Sequence, residues 1–169
     1  MTESASVIDA MQRTHMRSQM FVENPAGSIT KHLYDEDTLV LVGKQHVAVP
    51  YPYTYGFIPR VAAPDGGCLD CFLFDTAPTT TGDILEVEIV GLLEQFEELG
   101  DQRLIEDHNL LTRRVNDNRP ATDDEIETLR EFITSVFGDT GPLMHVGAVR
   151  DARHAAQLLF DRQSRGAVN

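Results

Sequence analysis

The chain has 169 residues, of which 41% are hydrophobic and 24% charged, and its formal net charge is −13. These values fit one globular domain over residues 1–169, and no run of about 18 apolar residues is present to span a membrane. The acidic balance argues against nucleic acid and anionic membranes as partners. Residues 1–18 are interpreted as an N-terminal extension, with a short helix predicted over residues 5–17 from the spacing of its apolar residues.

A series of short strands is predicted from about residue 18 to residue 107. Apolar or alternating runs recur there, among them MFVE, ITKHLY, TLVLVG, HVAVPY, YGFIPR, CFLFD, DILEVEIVGLLE and RLIE. Turn sequences such as NPAG, APDGG and TTTGD separate them. Many short strands at this spacing are typical of a small barrel or sandwich.

The pattern changes to helical after residue 115. Thr122 and Glu125 fit a capping box, which predicts the start of a helix with one apolar stripe that ends near Gly138. PLMHVGAV then predicts a strand, and RDARHAAQLLFDRQSRG predicts a final helix. The order of many strands, helix, strand and helix predicts an α+β domain around a β core.

Two acidic turns are candidates for a metal site. Asp65 and Asp70 precede the apolar run CFLF, while Glu97 and Asp101 follow the long strand DILEVEIVGLLE. If these strands pair, both turns meet at one barrel end, where their oxygens would suit a hard ion such as Mg²⁺. Acidic turns are also common on ordinary protein surfaces, and this chain has 27 acidic residues. Scattered solvated carboxylates are therefore the alternative.

A tyrosine cluster precedes the first acidic turn. Tyr51, Tyr53 and Tyr55 alternate in YPYTYGFIPR, so in a strand they would share one face. Their hydroxyls could donate hydrogen bonds to a bound anion. The alternative is an amphipathic strand whose rings pack in the core.

Together these blocks resemble the soluble family I inorganic pyrophosphatases. YPYTYGFIPR is similar to the family's Tyr-Pro-x-x-Tyr-Gly-Phe-Ile-Pro stretch, and DGGCLD stands where an Asp-Gly-Asp-Pro-x-Asp sequence is expected. GDILEVEIVGLLE and EELGDQR follow in the family's order, and FVENPAGSITKHLYD resembles its first acidic block and lysine-bearing strand. The resemblance extends over nearly the whole chain.

The resemblance implies a five-stranded OB-like barrel flanked by two main α-helices. It also implies a Mg²⁺-dependent hydrolase that converts pyrophosphate to phosphate by a metal-activated water, with cationic and tyrosine groups on the phosphates. Bound ions would make an acidic site attractive to an anionic substrate. A homo-oligomer, commonly a hexamer in bacteria, is implied as well.

Metal-binding roles are implied for Asp65, Asp70 and Asp101, and Glu97 stands where the family has an aspartate that holds further ions. Asp70 is also assigned to catalysis. These four carboxylates form the predicted metal set.

Phosphate contacts are implied for further polar residues. Tyr55, Lys31 and Arg103 match catalytic positions of the family. The remaining substrate-binding positions are Tyr51, Lys44 and Glu23.

Several family positions are occupied by different residues here. Gly67 stands where the family has the aspartate that orients and deprotonates the nucleophilic water, and Cys68 stands where the family has the adjoining proline. Losing a positioned base typically costs about 10²–10⁴ in rate, so efficient hydrolysis by the usual route is not expected. Other polar contacts of the family are replaced at Leu33, Gly43, Val136 and Phe137.

Three functional hypotheses follow. The first is a working Mg²⁺-dependent pyrophosphatase, which family resemblance favours. The second is a metal-assisted reaction on a small organic metabolite or organic diphosphate, which the lost cations favour. The third is a non-catalytic relative that binds a ligand or a protein.

The cysteines and the N-terminus indicate the compartment. The first twenty residues lack the basic start and apolar centre of a signal peptide. Two cysteines are too few for a disulfide framework, so a cytoplasmic protein with reduced thiols is expected. Cys71 is predicted to be a buried strand residue, and Cys68 to lie at the mouth of the site.

Overall fold

The computed structural model describes residues 17–62 and 67–166. The predicted helix over residues 5–17 therefore lies outside the described residues, apart from Arg17, which opens the first strand. The strands are β1 Arg17–Asn24, β2 Thr30–Asp35, β3 Val40–His46, β4 Thr54–Ala62, β5 Cys68–Leu73, β6 Ile84–Glu98, β7 Leu104–Glu106, β8 Asn109–Arg114 and β9 Leu143–Asp151. The helices are α1 Asp123–Ser135 and α2 Ala152–Gly166, with a 3₁₀ turn at Gly138–Thr140.

Five strands close into a barrel. Their order is β1-β4-β5-β8-β6, and pairing between β1 and β6 joins the two ends. Strands β7 and β9 extend from β6, while β2 and β3 form a separate hairpin. This arrangement confirms the predicted α+β fold, a five-stranded barrel with two helices.

The barrel strands contribute apolar residues to two core clusters on opposite strand faces. On β5, Leu69 and Cys71 belong to the cluster that α2 covers with Ala155 and Leu159. Phe72, which lies between Cys71 and Leu73 in the chain, points the other way and belongs to the cluster under α1. Cys71 is fully buried, as predicted.

Helix α1 begins where the sequence predicts. Thr122 accepts a hydrogen bond from the backbone N–H of Glu125, whose carboxylate in turn accepts from the backbone N–H of Thr122. This reciprocal cap satisfies amide groups that the first helical turn leaves without partners. The buried stripe Ile126, Leu129, Phe132 and Ile133 then packs α1 on the barrel.

Two strand assignments from the sequence differ from the structure. HVAVPY is not a strand after His46, because Pro50 and Pro52 lack the N–H groups that a sheet ladder needs. Strand β8, Asn109–Arg114, was not among the predicted strands, yet it is a central member of the barrel. Over the described residues, neither helix is long and apolar enough to cross a membrane.

Arg113 ties the end of β8 to the start of α1. Its guanidinium donates to both carboxylate oxygens of Glu125, at 3.1 and 2.7 Å, and to the backbone carbonyls of Arg119 and Pro120. The Arg113 side chain is only 4% exposed, and its guanidinium also lies over the ring of Phe74. This one cation therefore holds the loop that leads into α1.

Replacing Arg113 with methionine should lower the free energy of unfolding by about 3 kcal/mol, because Glu125 and two carbonyls lose their buried partner. Urea denaturation measures the loss. The matched control is Arg119→Met, since Arg119 pairs with Asp117 at the surface, where ion pairs contribute little. Equal losses in the two variants would contradict the role given to Arg113.

Candidate active site

A cavity of about 430 Å³ lies between the barrel, the β2–β3 hairpin and the end of α1. Its wall combines carboxylates, amides and tyrosine hydroxyls with an apolar side. The lining residues are Glu23, Lys31, Leu33, Tyr34, Glu36, Gln45, Tyr51, Tyr55, Asp70, Phe72, Gln95, Glu97, Asp107, Asn109, Phe132, Ile133, Val136, Phe137, Pro142 and Met144.

Asp70 reaches this cavity because of the alternation along β5. Leu69 and Cys71 point to the α2 side of the strand, so Asp70 points to the opposite side. In the parallel pairing of β5 with β8, Asp70 lies opposite Asn109, which also lines the cavity. The sheet thus sets two polar side chains side by side on one wall.

Only two of the three clustered tyrosines line the cavity. Tyr51 and Tyr55 have ring centroids 5.5 Å apart and both contribute to the wall. Tyr53 packs edge-on against Phe74 instead, at 4.9 Å. The prediction of one shared face is wrong for Tyr53, because strand β4 begins only at Thr54.

Gly56 allows the close strand approach that positions Tyr55. A Cβ atom at this residue would lie 1.8 Å from the carbonyl oxygen of Phe21 on β1. Only glycine therefore permits the observed β1–β4 pairing, in which Tyr55 lies opposite Asn24.

Glu23 and Lys31 enter the cavity from the first two strands. Glu23 is 7% exposed, and burial raises the pKa of its carboxyl to about 8, with Lys31 opposing the shift. The Nζ atom of Lys31 lies 5.1 Å from the centroid of the Phe137 ring, a cation–π contact with the segment after α1. Lys31 thus interacts with both a buried carboxyl group and an aromatic ring.

The environment of Asp70 is strongly anionic. Burial raises the pKa of its carboxyl well above the usual range, and the charges of Asp107 and Glu23 raise it further. A hydrogen bond with Tyr55 and the charge of Lys31 oppose this shift. Burial also raises the pKa of the Tyr55 hydroxyl, and the charge of Asp70 raises it further. Both effects favour the protonated form of this hydroxyl, which can donate a hydrogen bond.

Asp107 is a cavity carboxylate that sequence reasoning missed. It lies between β7 and β8, and the Gln95 side-chain amide donates to its Oδ2 at 2.8 Å. Asn109 donates in turn to the Gln95 amide oxygen at 2.7 Å. The available signal was a carboxylate two residues before Asn109, the start of the run NLLT, but that run was not recognised as a strand.

Three described residues of the predicted site, Asp101, Arg103 and Lys44, do not line the cavity. Asp101 and Arg103 form an ion pair with each other at an exposed turn, with 2.5 Å between Oδ2 and Nε. Lys44 is exposed on β3, opposite His32. Asp65 lies outside the described residues. Of the predicted metal set, Asp70 and Glu97 are on the cavity wall.

The charge balance of the wall suits a cation. Among the described lining residues there are five carboxylates, Glu23, Glu36, Asp70, Glu97 and Asp107, and one cation, Lys31. No three potential ligands within residues 17–62 and 67–166 converge closely enough to hold an ion by themselves. Mg²⁺ is usually held by one or two carboxylates plus water and substrate phosphates, so this donor set still fits it.

Part of the cavity lining is apolar. Leu33, Val136 and Phe137 contribute to it, as do Phe132 and Met144. The cavity lining therefore combines acidic and apolar residues.

The amino-acid sequence matches the inorganic pyrophosphatase family over residues 20–159. It is 33% identical over 155 residues to the inorganic pyrophosphatase of Thermus thermophilus, covering 82% of this chain and 83% of that protein. It is also 33% identical over 120 residues to the enzyme of Aquifex pyrophilus, covering 69% of this chain and 67% of that protein.

Solved structures agree with these sequence matches. The crystal structure of inorganic pyrophosphatase from Thermus thermophilus superposes with a TM-score of 0.76 at 25% identity, covering 90% of this chain and 92% of that one. The inorganic pyrophosphatase of Helicobacter pylori has the same fold, with a TM-score of 0.78 at 16% identity over 92% of this chain and 96% of that one. The chain therefore belongs to the inorganic pyrophosphatase family of hydrolases.

Proposed function

We propose that this chain hydrolyses inorganic pyrophosphate to phosphate with Mg²⁺ as its cofactor. One observation supports this above all: a single cavity brings together Glu23, Lys31, Tyr55 and Asp70, which come from four different strands. Each matches a family site position in the sequence. Residues so far apart in the chain share a cavity only because the barrel and the β2–β3 hairpin bring them together.

The reaction breaks the bridging P–O bond of pyrophosphate as a water oxygen bonds to one phosphorus, and the second phosphate leaves. Lys31 carries the positive charge that faces the phosphate oxygens, and the protonated Tyr55 hydroxyl donates a hydrogen bond. Asp70 and Glu97 would hold Mg²⁺, which when bound neutralises substrate charge and acidifies the attacking water. Asp101, Arg103, Lys44 and Asp65 stay predicted contributors.

The turnover is expected to be low, because Gly67 offers no carboxylate to accept the proton of the attacking water.

A homo-oligomer and a cytoplasmic location also stay proposals. Both rest on resemblance and sequence pattern.

Phosphate release from pyrophosphate tests the proposed reaction. Purified protein should release phosphate with Mg²⁺ and stop when Mg²⁺ is chelated. Asp70→Asn should lower kcat by about 100-fold or more, because it removes a metal-binding carboxylate from the reacting centre. The matched control Asp161→Asn changes an exposed residue of α2 and should be neutral. Release unaffected by chelation or by Asp70→Asn would contradict the proposal.

Restoring the missing carboxylate tests the effect of position 67. Gly67→Asp should raise kcat on pyrophosphate at least about tenfold, within the range attributed to a positioned base. Asn118→Asp adds the same charge at an exposed loop residue outside the cavity and serves as control. If Gly67→Asp gives no gain while its fold is intact, the chain is not a pyrophosphatase limited by this residue.

The apolar part of the cavity lining favours a second candidate function. Val136, Phe137 and Leu33 could accommodate an organic group, and the wall offers Lys31 as its cation among the described residues. A diphosphate ester with a small alkyl group carries less negative charge than pyrophosphate. Hydrolysis of its phosphoanhydride bond would give an alkyl phosphate and phosphate.

Comparison of kcat/KM for methyl diphosphate and pyrophosphate distinguishes the two candidates. If the organic ester is the substrate, the wild type prefers it, and Phe137→Lys shifts preference toward pyrophosphate by about tenfold through an added ammonium. Ser135→Lys places the same charge on the exposed end of α1 as a control. A higher kcat/KM of the wild type for pyrophosphate than for methyl diphosphate would contradict the second candidate function.

A further inference from the structure

Glu36 is a cavity carboxylate at the tip of the β2–β3 hairpin. It follows Asp35, whose side-chain Oδ1 accepts hydrogen bonds from the backbone N–H groups of Asp37, at 3.1 Å, and Thr38, at 2.9 Å. The backbone N–H of Leu39 donates to the carbonyl of Asp35 at 2.8 Å. Hydrogen bonds of this kind fix a tight turn, and this turn presents Glu36 to the cavity.

The Glu36 carboxylate reaches the first residue of β5. Its Oε2 atom accepts a hydrogen bond from the backbone N–H of Cys68, which is 32 residues away in the chain. Cys68 directly follows Gly67, so the carboxylate of residue 36 lies beside the backbone at the position that lacks a carboxylate of its own. A backbone N–H occupies one of about four acceptor sites of a carboxylate, so this group is oriented and can still accept from water.

Solvent access separates Glu36 from the most deeply buried carboxylate of the cavity. Glu23 is 7% exposed, whereas Glu36 is partly exposed. Asp70 and Glu97 are the proposed Mg²⁺ ligands, so their oxygens are engaged when the cofactor is bound. A general base must lie within hydrogen-bond reach of the attacking water and pass the proton on. A partly exposed carboxylate on the cavity lining, outside the proposed metal set, meets both needs.

We propose that Glu36 is the general base of this chain and takes over part of the function of the carboxylate absent at position 67. It accepts a proton from the attacking water as the water oxygen bonds to one phosphorus. The electron pair of the bridging P–O bond leaves with the second phosphate, and Glu36 then releases its proton to solvent. The proposal rests on the proposed function, because it names the proton acceptor of that reaction.

Steady-state hydrolysis of pyrophosphate with Mg²⁺, on the full chain, tests the role of Glu36. Glu36→Gln keeps an oxygen that can accept from Cys68 but cannot take up a proton at neutral pH. It should lower kcat by about 100-fold and leave KM unchanged, because only the transition state loses an interaction. The matched control Asp37→Asn removes a charge from the exposed neighbouring residue of the same turn and should behave like the wild type.

A double variant separates proton transfer from a role in holding the hairpin. If Glu36 acts as the base, Gly67→Asp should raise kcat by about 100-fold in the Glu36→Gln background, more than the gain of about tenfold expected in the wild type. The gain differs because the wild type already has a carboxylate at this place. If Glu36 only ties the hairpin to β5, Gly67→Asp should have the same effect in both backgrounds.

Glu36→Asp and Glu36→Asn form a second pair in case the glutamine protein does not fold. Both shorten the side chain by one methylene group, and only the aspartate can take up the proton. The kcat of Glu36→Asp should therefore exceed that of Glu36→Asn by at least about tenfold.

Three results would overturn the role of Glu36. They are a kcat of Glu36→Gln equal to that of the wild type, equal gains from Gly67→Asp in both backgrounds, and equal kcat values for Glu36→Asp and Glu36→Asn. With an active wild type, each of them leaves the proposed function intact. Absence of Mg²⁺-dependent phosphate release from the wild type would instead refute the proposed function, and the role of Glu36 with it.

Discussion

Strand β6 pairs with β1, β7, β8 and β9 along its 15 residues. Its pairing with β1 closes the barrel, because it joins the two ends of the strand order. Its second half carries Gln95 and Glu97 to the cavity wall and supports the start of β8. A register shift of one residue would turn both side chains away from the cavity. Barrel closure and site geometry thus depend on the same backbone hydrogen bonds.

The wall that β6 supports concentrates negative charge in a partly desolvated place. Carboxylates there are stable only with protons or cations nearby, since burial and mutual repulsion both disfavour their ionised forms. A protein that binds an anion with such a wall must therefore recruit positive charge with it. This explains how an acidic chain can serve as a hydrolase of a highly charged substrate.

The fold and the chemistry of the site place different demands on the sequence. A barrel core needs apolar residues at alternating positions and tolerates many substitutions among them, whereas the chemistry depends on a few polar groups at fixed places. Leu33, Val136 and Phe137 contribute apolar lining to the cavity. Glu23, Lys31, Tyr55, Asp70 and Asp107 line the same cavity.

The sequence by itself determined the α+β class, the start of α1 and the tyrosine and aspartate blocks, because caps, apolar periodicity and short motifs act between residues close in the chain. It also singled out Asp70 and Tyr55. Only the tertiary structure decided that Asp107 joins them and that Tyr53 does not. The parallel pairing of β5 with β8 brings Asp70 beside Asn109, and such long-range contacts leave no local pattern in the sequence.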